Sequence, residues 1–135
     1  MSSNWVKGSA KLVYDPYRPG IKKVRKGELV VAEVDTNIAE YYRWWVKKRY
    51  GLRLQNTAWI PHITIVDGKS ALDLSKNGNW KKFHGQFIEF EYSVEIEQHW
   101  KFWTLPVRSN DLMMVRKSLG LAPSYNFHIT FGRME

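Results

Sequence analysis

The tripeptide His-Ile-Thr occurs twice in this chain, as His62-Ile63-Thr64 and as His128-Ile129-Thr130. In a chain of this length and composition, chance would place about 0.01 copies. Each copy lies in a strand-like run that follows a helix-like stretch and a glycine. The chain therefore divides into two related halves, and its fold has to place the same kind of strand twice.

The predicted elements of the two halves alternate between strands and helices. The first half has a strand at 28–34, a helix from Asp35 to Tyr50 and a strand at 59–66. The second half has strands at 86–98 and 101–107, a helix from Ser109 to Leu119 and a strand at 125–131. This mixed order predicts an α+β class, a two-lobed α/β arrangement.

The first 27 residues are the least regular part of the sequence. Leu12–Tyr14 is predicted as a short strand, and Pro, Gly and a basic cluster interrupt the rest. We therefore divide the chain into an N-terminal segment at 1–27, which is expected either to pack over the body or to form an arm, and a two-lobed domain at 28–135.

Composition narrows the classes of function. The chain has no cysteine and a formal net charge of +8, which rules out thiolate chemistry and favours anionic partners such as nucleic acid or nucleotides. No apolar run has the length of a membrane span or a signal peptide. We therefore expect a soluble, cytoplasmic protein with no membrane partner. No pattern of metal-ligand spacing is present, so we expect no metal and no cofactor.

The repeated tripeptide suits proton transfer. In a strand, residues i and i+2 point to the same face, so His62 shares a face with Thr64, and His128 shares a face with Thr130. If the two strands are close, one neutral histidine can accept a proton from an attacking hydroxyl and the other can protonate the departing oxygen. The threonine hydroxyls can bind phosphate oxygens. These four residues are the predicted catalytic set for phosphodiester cleavage.

Other side chains are candidates for substrate binding, since aromatic and basic groups stack on bases and pair with phosphates. Trp59 is expected on the face opposite His62, in the core. The predicted substrate-binding residues are Tyr14, Tyr17, Arg18, Trp80, Lys81 and Arg133.

The paired His-x-Thr motifs resemble those of the 2H phosphoesterase superfamily, which includes the LigT-type cyclic phosphodiesterases. The resemblance implies a bilobal, pseudo-two-fold fold with antiparallel sheets around a central groove, helices outside, and His62, Thr64, His128 and Thr130 as catalytic residues. The run from Tyr42 to Thr64 is similar to that of small phage members, the anti-CBASS phosphodiesterases that degrade cyclic oligonucleotide immune signals. The host cytoplasm would then be the place of action.

Three functions remain open from the sequence. The first is a metal-independent phosphodiesterase that cleaves 3′–5′ bonds of cyclic di- or trinucleotides with one histidine as base and the other as acid. The second opens 2′,3′-cyclic phosphates at RNA ends or on tRNA-splicing products. The third is a non-catalytic RNA-binding protein, based on the charge and the aromatic residues. The sequence does not assign base and acid. No obligate protein partner is evident, and an edge at 86–98 leaves a homodimer open.

Overall fold

The computed structural model describes residues 4–20, 26–68 and 73–134. Within these ranges, strands alternate with two α-helices and one short 3-10 helix. The elements are β1 (Trp5–Tyr14), β2 (Leu29–Glu33), α1 (Thr36–Tyr50), β3 (His62–Asp67), the 3-10 helix (Leu74–Lys76), β4 (Phe87–Ser93), β5 (Glu97–His99), β6 (Phe102–Arg108), α2 (Asn110–Ser118) and β7 (His128–Arg133).

Six of the strands form a closed antiparallel barrel in the order β1-β2-β3-β7-β6-β4, with β4 returning to β1. The short β5 follows β4 after a break and pairs with the first part of β6. Each half contributes two antiparallel strands, a helix and a motif strand, so the element order is the same in both. The halves meet along two seams, β3–β7 and β1–β4. The α+β class predicted from the sequence is confirmed.

Both predicted helices are confirmed, and their ends follow from local chemistry. The Asp35 carboxylate accepts a hydrogen bond from the N–H of Asn37 at the start of α1, and Gly51 ends that helix in the left-handed region at φ 69°. At the start of α2, the Ser109 hydroxyl accepts from the N–H of Leu112. These caps set where each helix begins and where α1 ends.

The prediction for residues 1–27 is wrong over most of the described part. Instead of a short strand at Leu12–Tyr14, the ten residues of β1 pair with both β2 and β4. The alternation is hard to recognise because glycine and alanine occupy apolar positions. At Gly8, an added Cβ would lie 2.7 Å from the ring of Phe90, so this ring fills the space that a side chain would take. The strand belongs to the barrel, not to a separate segment.

The barrel has an apolar outer face and a polar inner face. On the outer face, Tyr42 of α1 packs against Phe131 and Tyr92, with ring centroids 5.8 and 5.9 Å apart. We call the face that packs against α1 the outer face and the opposite, solvent-accessible face the inner face. Alternation along the strands places the following side chains on the inner face: Lys7, Ser9, Lys11, Glu33, His62, Thr64, Pro106, His128 and Thr130.

Strand β4 is not the open edge that the sequence indicated. It pairs with β1 along its length and with β6 at Glu91 and Tyr92. Next to these pairs, the N–H of Glu89 donates to the Asp111 carboxylate and its carbonyl accepts from the Ser109 hydroxyl. The start of α2 therefore covers β4, whereas the short β5, at the end of the same predicted strand, pairs with β6 and is the last strand of the described sheet.

Candidate active site

The two His-Ile-Thr motifs lie on adjacent antiparallel strands, with Ile63 directly opposite Ile129. The same register places His62 beside Thr130 and Thr64 beside His128 on the inner face. Ile63 and Ile129 are fully buried on the outer face. The structure thus brings together the four residues that the sequence proposed as catalytic, each histidine next to the threonine of the other motif.

Both imidazole rings are held by the same local hydrogen bond. Nδ1 of His62 lies 2.7 Å from the carbonyl oxygen of Ile60, and Nδ1 of His128 lies 2.9 Å from the carbonyl oxygen of Asn126. Because a carbonyl can only accept, Nδ1 carries the proton in both rings. Nε2 is therefore the nitrogen of each ring that accepts a proton when the ring is neutral and donates one when it is charged.

His62 has a more crowded environment than a surface histidine. The Trp59 ring lies 4.1 Å from the imidazole, centroid to centroid, so the expectation that Trp59 lies apart from the site is wrong. Burial is the largest effect and lowers the pKa of His62, with smaller lowering by His128 and Arg18 and opposing effects from the Ile60 carbonyl and Glu33. The net direction leaves His62 uncharged at neutral pH.

The residues opposite the two histidines differ. Glu33 of β2 is the direct partner of His62 in the sheet, while Pro106 of β6 is the direct partner of His128. Directly opposite residues share a face, so a carboxylate lies beside the first histidine and an apolar ring beside the second. This is an asymmetry that the repeated tripeptide does not reveal.

A β-bulge follows each motif at the same place. The register shift between β2 and β3 leaves Ile65 as the extra residue, and the shift between β6 and β7 leaves Phe131. Arg116 of α2 donates to the carbonyl of Ile65 at 2.7 Å, and Arg43 of α1 donates to the carbonyl of Phe131 at 2.8 Å. Each helix thus fixes the motif strand of the other half. Sequence analysis missed both arginines.

One predicted residue after β1 is close enough to affect the site: the positive charge of Arg18 lowers the pKa of His62. Its neighbour Tyr17 is 72% exposed. The turn before them is held by the Asp15 carboxylate, which accepts from the N–H of Gly27 at 2.8 Å and from Nε1 of Trp80 at 3.1 Å. Tyr17 and Arg18 therefore remain candidates for contact with a substrate.

Three of the predicted substrate-binding residues make contacts within the protein. Tyr14 is buried, at 2% exposure, and the Trp80 ring packs edge-on against it with centroids 5.1 Å apart. Nζ of Lys81 lies 3.6 Å from the Asp15 carboxylate. Tyr14 and Trp80 thus hold the loop before β4 against the barrel, and Tyr14 has no exposed ring on which a base could stack.

The bulge at Phe131 also determines the direction of Arg133. Without it, Arg133 would share the outer face with Ile129; the extra residue returns it to the inner face, opposite Phe102. Its backbone pairs with Gln55 in both directions, at 2.8 and 3.1 Å. Arg133 therefore lies on the same face as Thr130, farther along the strand from His128.

No protein-family model, curated protein or solved structure matches the chain. Among the described residues, no helix has the length and apolar character needed to cross a membrane. Over the same residues, no group of three or more histidine, aspartate or glutamate side chains is placed to hold a metal ion.

Proposed function

We propose that the chain is a phosphodiesterase of the 2H type that cleaves 3′–5′ bonds in small cyclic oligonucleotides. The observation that supports this best is the pair of histidines on neighbouring strands, each with Nδ1 bound to a carbonyl and Nε2 available for chemistry. The common element order of the two halves is compatible with the bilobal fold of that superfamily. On this proposal the protein is a phage enzyme that degrades immune signals in the host cytoplasm.

In the first step, Nε2 of neutral His62 takes the proton of a ribose 2′-OH, and the 2′-oxygen attacks the adjacent phosphorus. The bond from phosphorus to the 5′-oxygen breaks, and charged His128 donates its Nε2 proton to that oxygen. The products are a 2′,3′-cyclic phosphate and a free 5′-OH. His62 is assigned as the base because burial keeps it neutral.

The hydroxyls of Thr64 and Thr130 lie beside the two rings and suit the non-bridging phosphate oxygens, whose charge is greatest in the transition state. A net charge of +8 favours the approach of an anionic substrate. Water can open the cyclic product afterwards with the roles of the two histidines reversed, as microscopic reversibility requires.

The proposal is tested with cyclic dinucleotides and trinucleotides and with 2′,3′-cyclic mononucleotides, all in EDTA, with products separated by chromatography. We expect cleavage of the cyclic oligonucleotides and no cleavage of the analogue with 2′-deoxyribose at the scissile positions, because it lacks the attacking hydroxyl. Equal turnover of the deoxy analogue would contradict the mechanism. Turnover of the 2′,3′-cyclic mononucleotides alone would indicate an enzyme acting on RNA ends, and binding of RNA without any turnover would indicate a non-catalytic protein.

A further inference from the structure

Phe87 is an exposed aromatic residue on the mostly polar inner face. It is the direct partner of Lys11 across the β1–β4 seam, which places it on the inner face, and 72% of it is exposed. The next apolar residues of β4, Ile88 and Phe90, are buried on the outer face. A large exposed ring among polar side chains contributes little to the core, and it offers a flat surface to a ligand.

Phe87 belongs to the same cross-strand row as His62. Direct pairing runs from His62 to Glu33, from Glu33 to Lys11 and from Lys11 to Phe87. Three steps between strands correspond to about 14 Å along the sheet. A ligand that touches both His62 and Phe87 is therefore larger than the group around a single phosphate, and Lys11, which is exposed, lies between the two.

A groove lies farther along the β1–β4 seam, beside the start of α2. It has a volume of about 590 Å³, and its lining includes Lys7, Ser9, Glu89 and Arg108 together with residues 109–111. The Ser9–Glu89 pair is the next pair of the inner face after Lys11–Phe87. Hydroxyl and carboxylate groups at this position can accept hydrogen bonds from the amino and imino groups of a base.

We infer that the β1–β4 seam is a second nucleotide subsite, in which Phe87 stacks a base and Lys11 pairs with a phosphate remote from the scissile bond. The inference rests on the proposed function and adds to it: the substrate occupies both seams of the barrel, its scissile phosphate at β3–β7 and its next nucleotide at β1–β4. Discrimination in favour of cyclic oligonucleotides over mononucleotides follows from occupancy of the second seam.

The test compares Phe87→Ala with the unaltered chain on two substrates, 3′,3′-cyclic di-AMP and 2′,3′-cyclic AMP. Loss of one stacked base is expected to raise KM for the dinucleotide by about 5- to 150-fold, with kcat and the hydrolysis of the mononucleotide unchanged. Phe87→Trp should restore KM, and Lys11→Met should raise KM and weaken its dependence on salt. Trp100→Ala is the matched control, since Trp100 is an aromatic residue that is 80% exposed in the turn between β5 and β6, away from the β1–β4 seam.

Failure of the subsite and failure of the proposed function give different results. Turnover of the dinucleotide with the same KM in Phe87→Ala, or equal losses on both substrates, overturns the subsite while the phosphodiesterase stands. If the protein does not hydrolyse cyclic di-AMP, its binding of this dinucleotide is measured by calorimetry. Binding that Phe87→Ala weakens then supports the subsite although the proposed function fails, whereas binding that the variant leaves unchanged, or no binding by the unaltered chain, overturns the subsite.

Discussion

His62 and His128 occupy equivalent positions in the two halves of the barrel, and each is bound through Nδ1 to the carbonyl two residues before it. Their neighbours differ. Trp59 lies against the His62 ring, while the residue at the equivalent place in the second half, Tyr125, donates to the Asp67 carboxylate at 3.0 Å. The backbone arrangement is repeated in the two halves, and the side chains around the two histidines differ.

The contacts of Tyr125 explain why it is not equivalent to Trp59, whose ring lies against the His62 imidazole. Burial and the hydrogen bond to Asp67 raise the pKa of Tyr125 to about 12, so the phenol stays protonated. The Arg116 guanidinium lies 4.3 Å from its ring centroid. These contacts tie the ring to Asp67 and to α2. The two histidines therefore differ in one aromatic neighbour and one cross-strand partner, and the proposed assignment of base and acid depends on these differences.

The largest expected effect comes from removing either histidine. His62→Ala and His128→Ala should each reduce kcat/KM on the cyclic dinucleotide by about 10²–10⁴-fold, the usual contribution of an acid or a base. The two variants should differ on a 4-nitrophenyl phosphodiester of uridine, whose leaving group needs no proton. Steady-state kinetics should show recovery for His128→Ala and none for His62→Ala.

His99→Ala serves as the matched histidine control for this experiment. His99 lies in β5, is exposed, and pairs with Glu97 at 3.0 Å, so its removal should leave both rates unchanged. Recovery of His62→Ala alone would reverse the assignment of base and acid. If the rate on the 4-nitrophenyl substrate recovers in both variants, or in neither, the two histidine positions are chemically equivalent in spite of their different neighbours.

The second prediction compares the two arginines that hold the bulges. Arg43→Ala and Arg116→Ala each leave a strand carbonyl without its charged donor, which typically costs about 1.5–3 kcal/mol of unfolding free energy. The loss of unfolding free energy should be larger for Arg116→Ala than for Arg43→Ala, because Arg116 also donates to the carbonyl of Ala122 at 2.7 Å and stacks on Tyr125. Urea unfolding measures both values. Lys47→Ala on the exposed side of α1 is the control, and a larger loss for Arg43→Ala would contradict the comparison.

Sequence reasoning recovered the local parts of this molecule. Both helices could be predicted because their caps, Asp35, Gly51 and Ser109, act within a few residues of the backbone groups that they bind. The two His-Ile-Thr strands could be predicted because strand alternation is local as well. Whether the two strands are neighbours is a separate matter, and it depends on pairings between distant parts of the chain.

The remaining parts of the site depend on such distant pairings. Glu33 becomes important because β2 lies next to β3, and Phe87 because β4 pairs with β1. The bulges at Ile65 and Phe131 follow from how neighbouring strands align, so the partners of Arg43 and Arg116 could not be identified from the sequence. The sequence predicts the chemistry of the two motifs, whereas the asymmetry between them requires the fold.

The smallest expected effect concerns the charges around His62, and it is the most direct test of the asymmetry. A base has to be neutral, so activity rises with pH through the pKa of His62, and the lowered pKa places this rise below pH 6.5. Glu33 raises that pKa, so Glu33→Gln should move the rise to lower pH. Arg18 lowers it, so Arg18→Gln should move the rise to higher pH.

The two substitutions are expected to shift the pH dependence in opposite directions. A general loss of structure would affect both variants in the same way and could not produce this result. The double variant should lie between the single ones, and the Arg18 shift should shrink in high salt, since Arg18 is exposed and its charge is screened. The measurement is the pH dependence of kcat/KM for each variant. Shifts in the same direction, or no shift in Glu33→Gln, would mean that His62 is not the group whose deprotonation activates the enzyme.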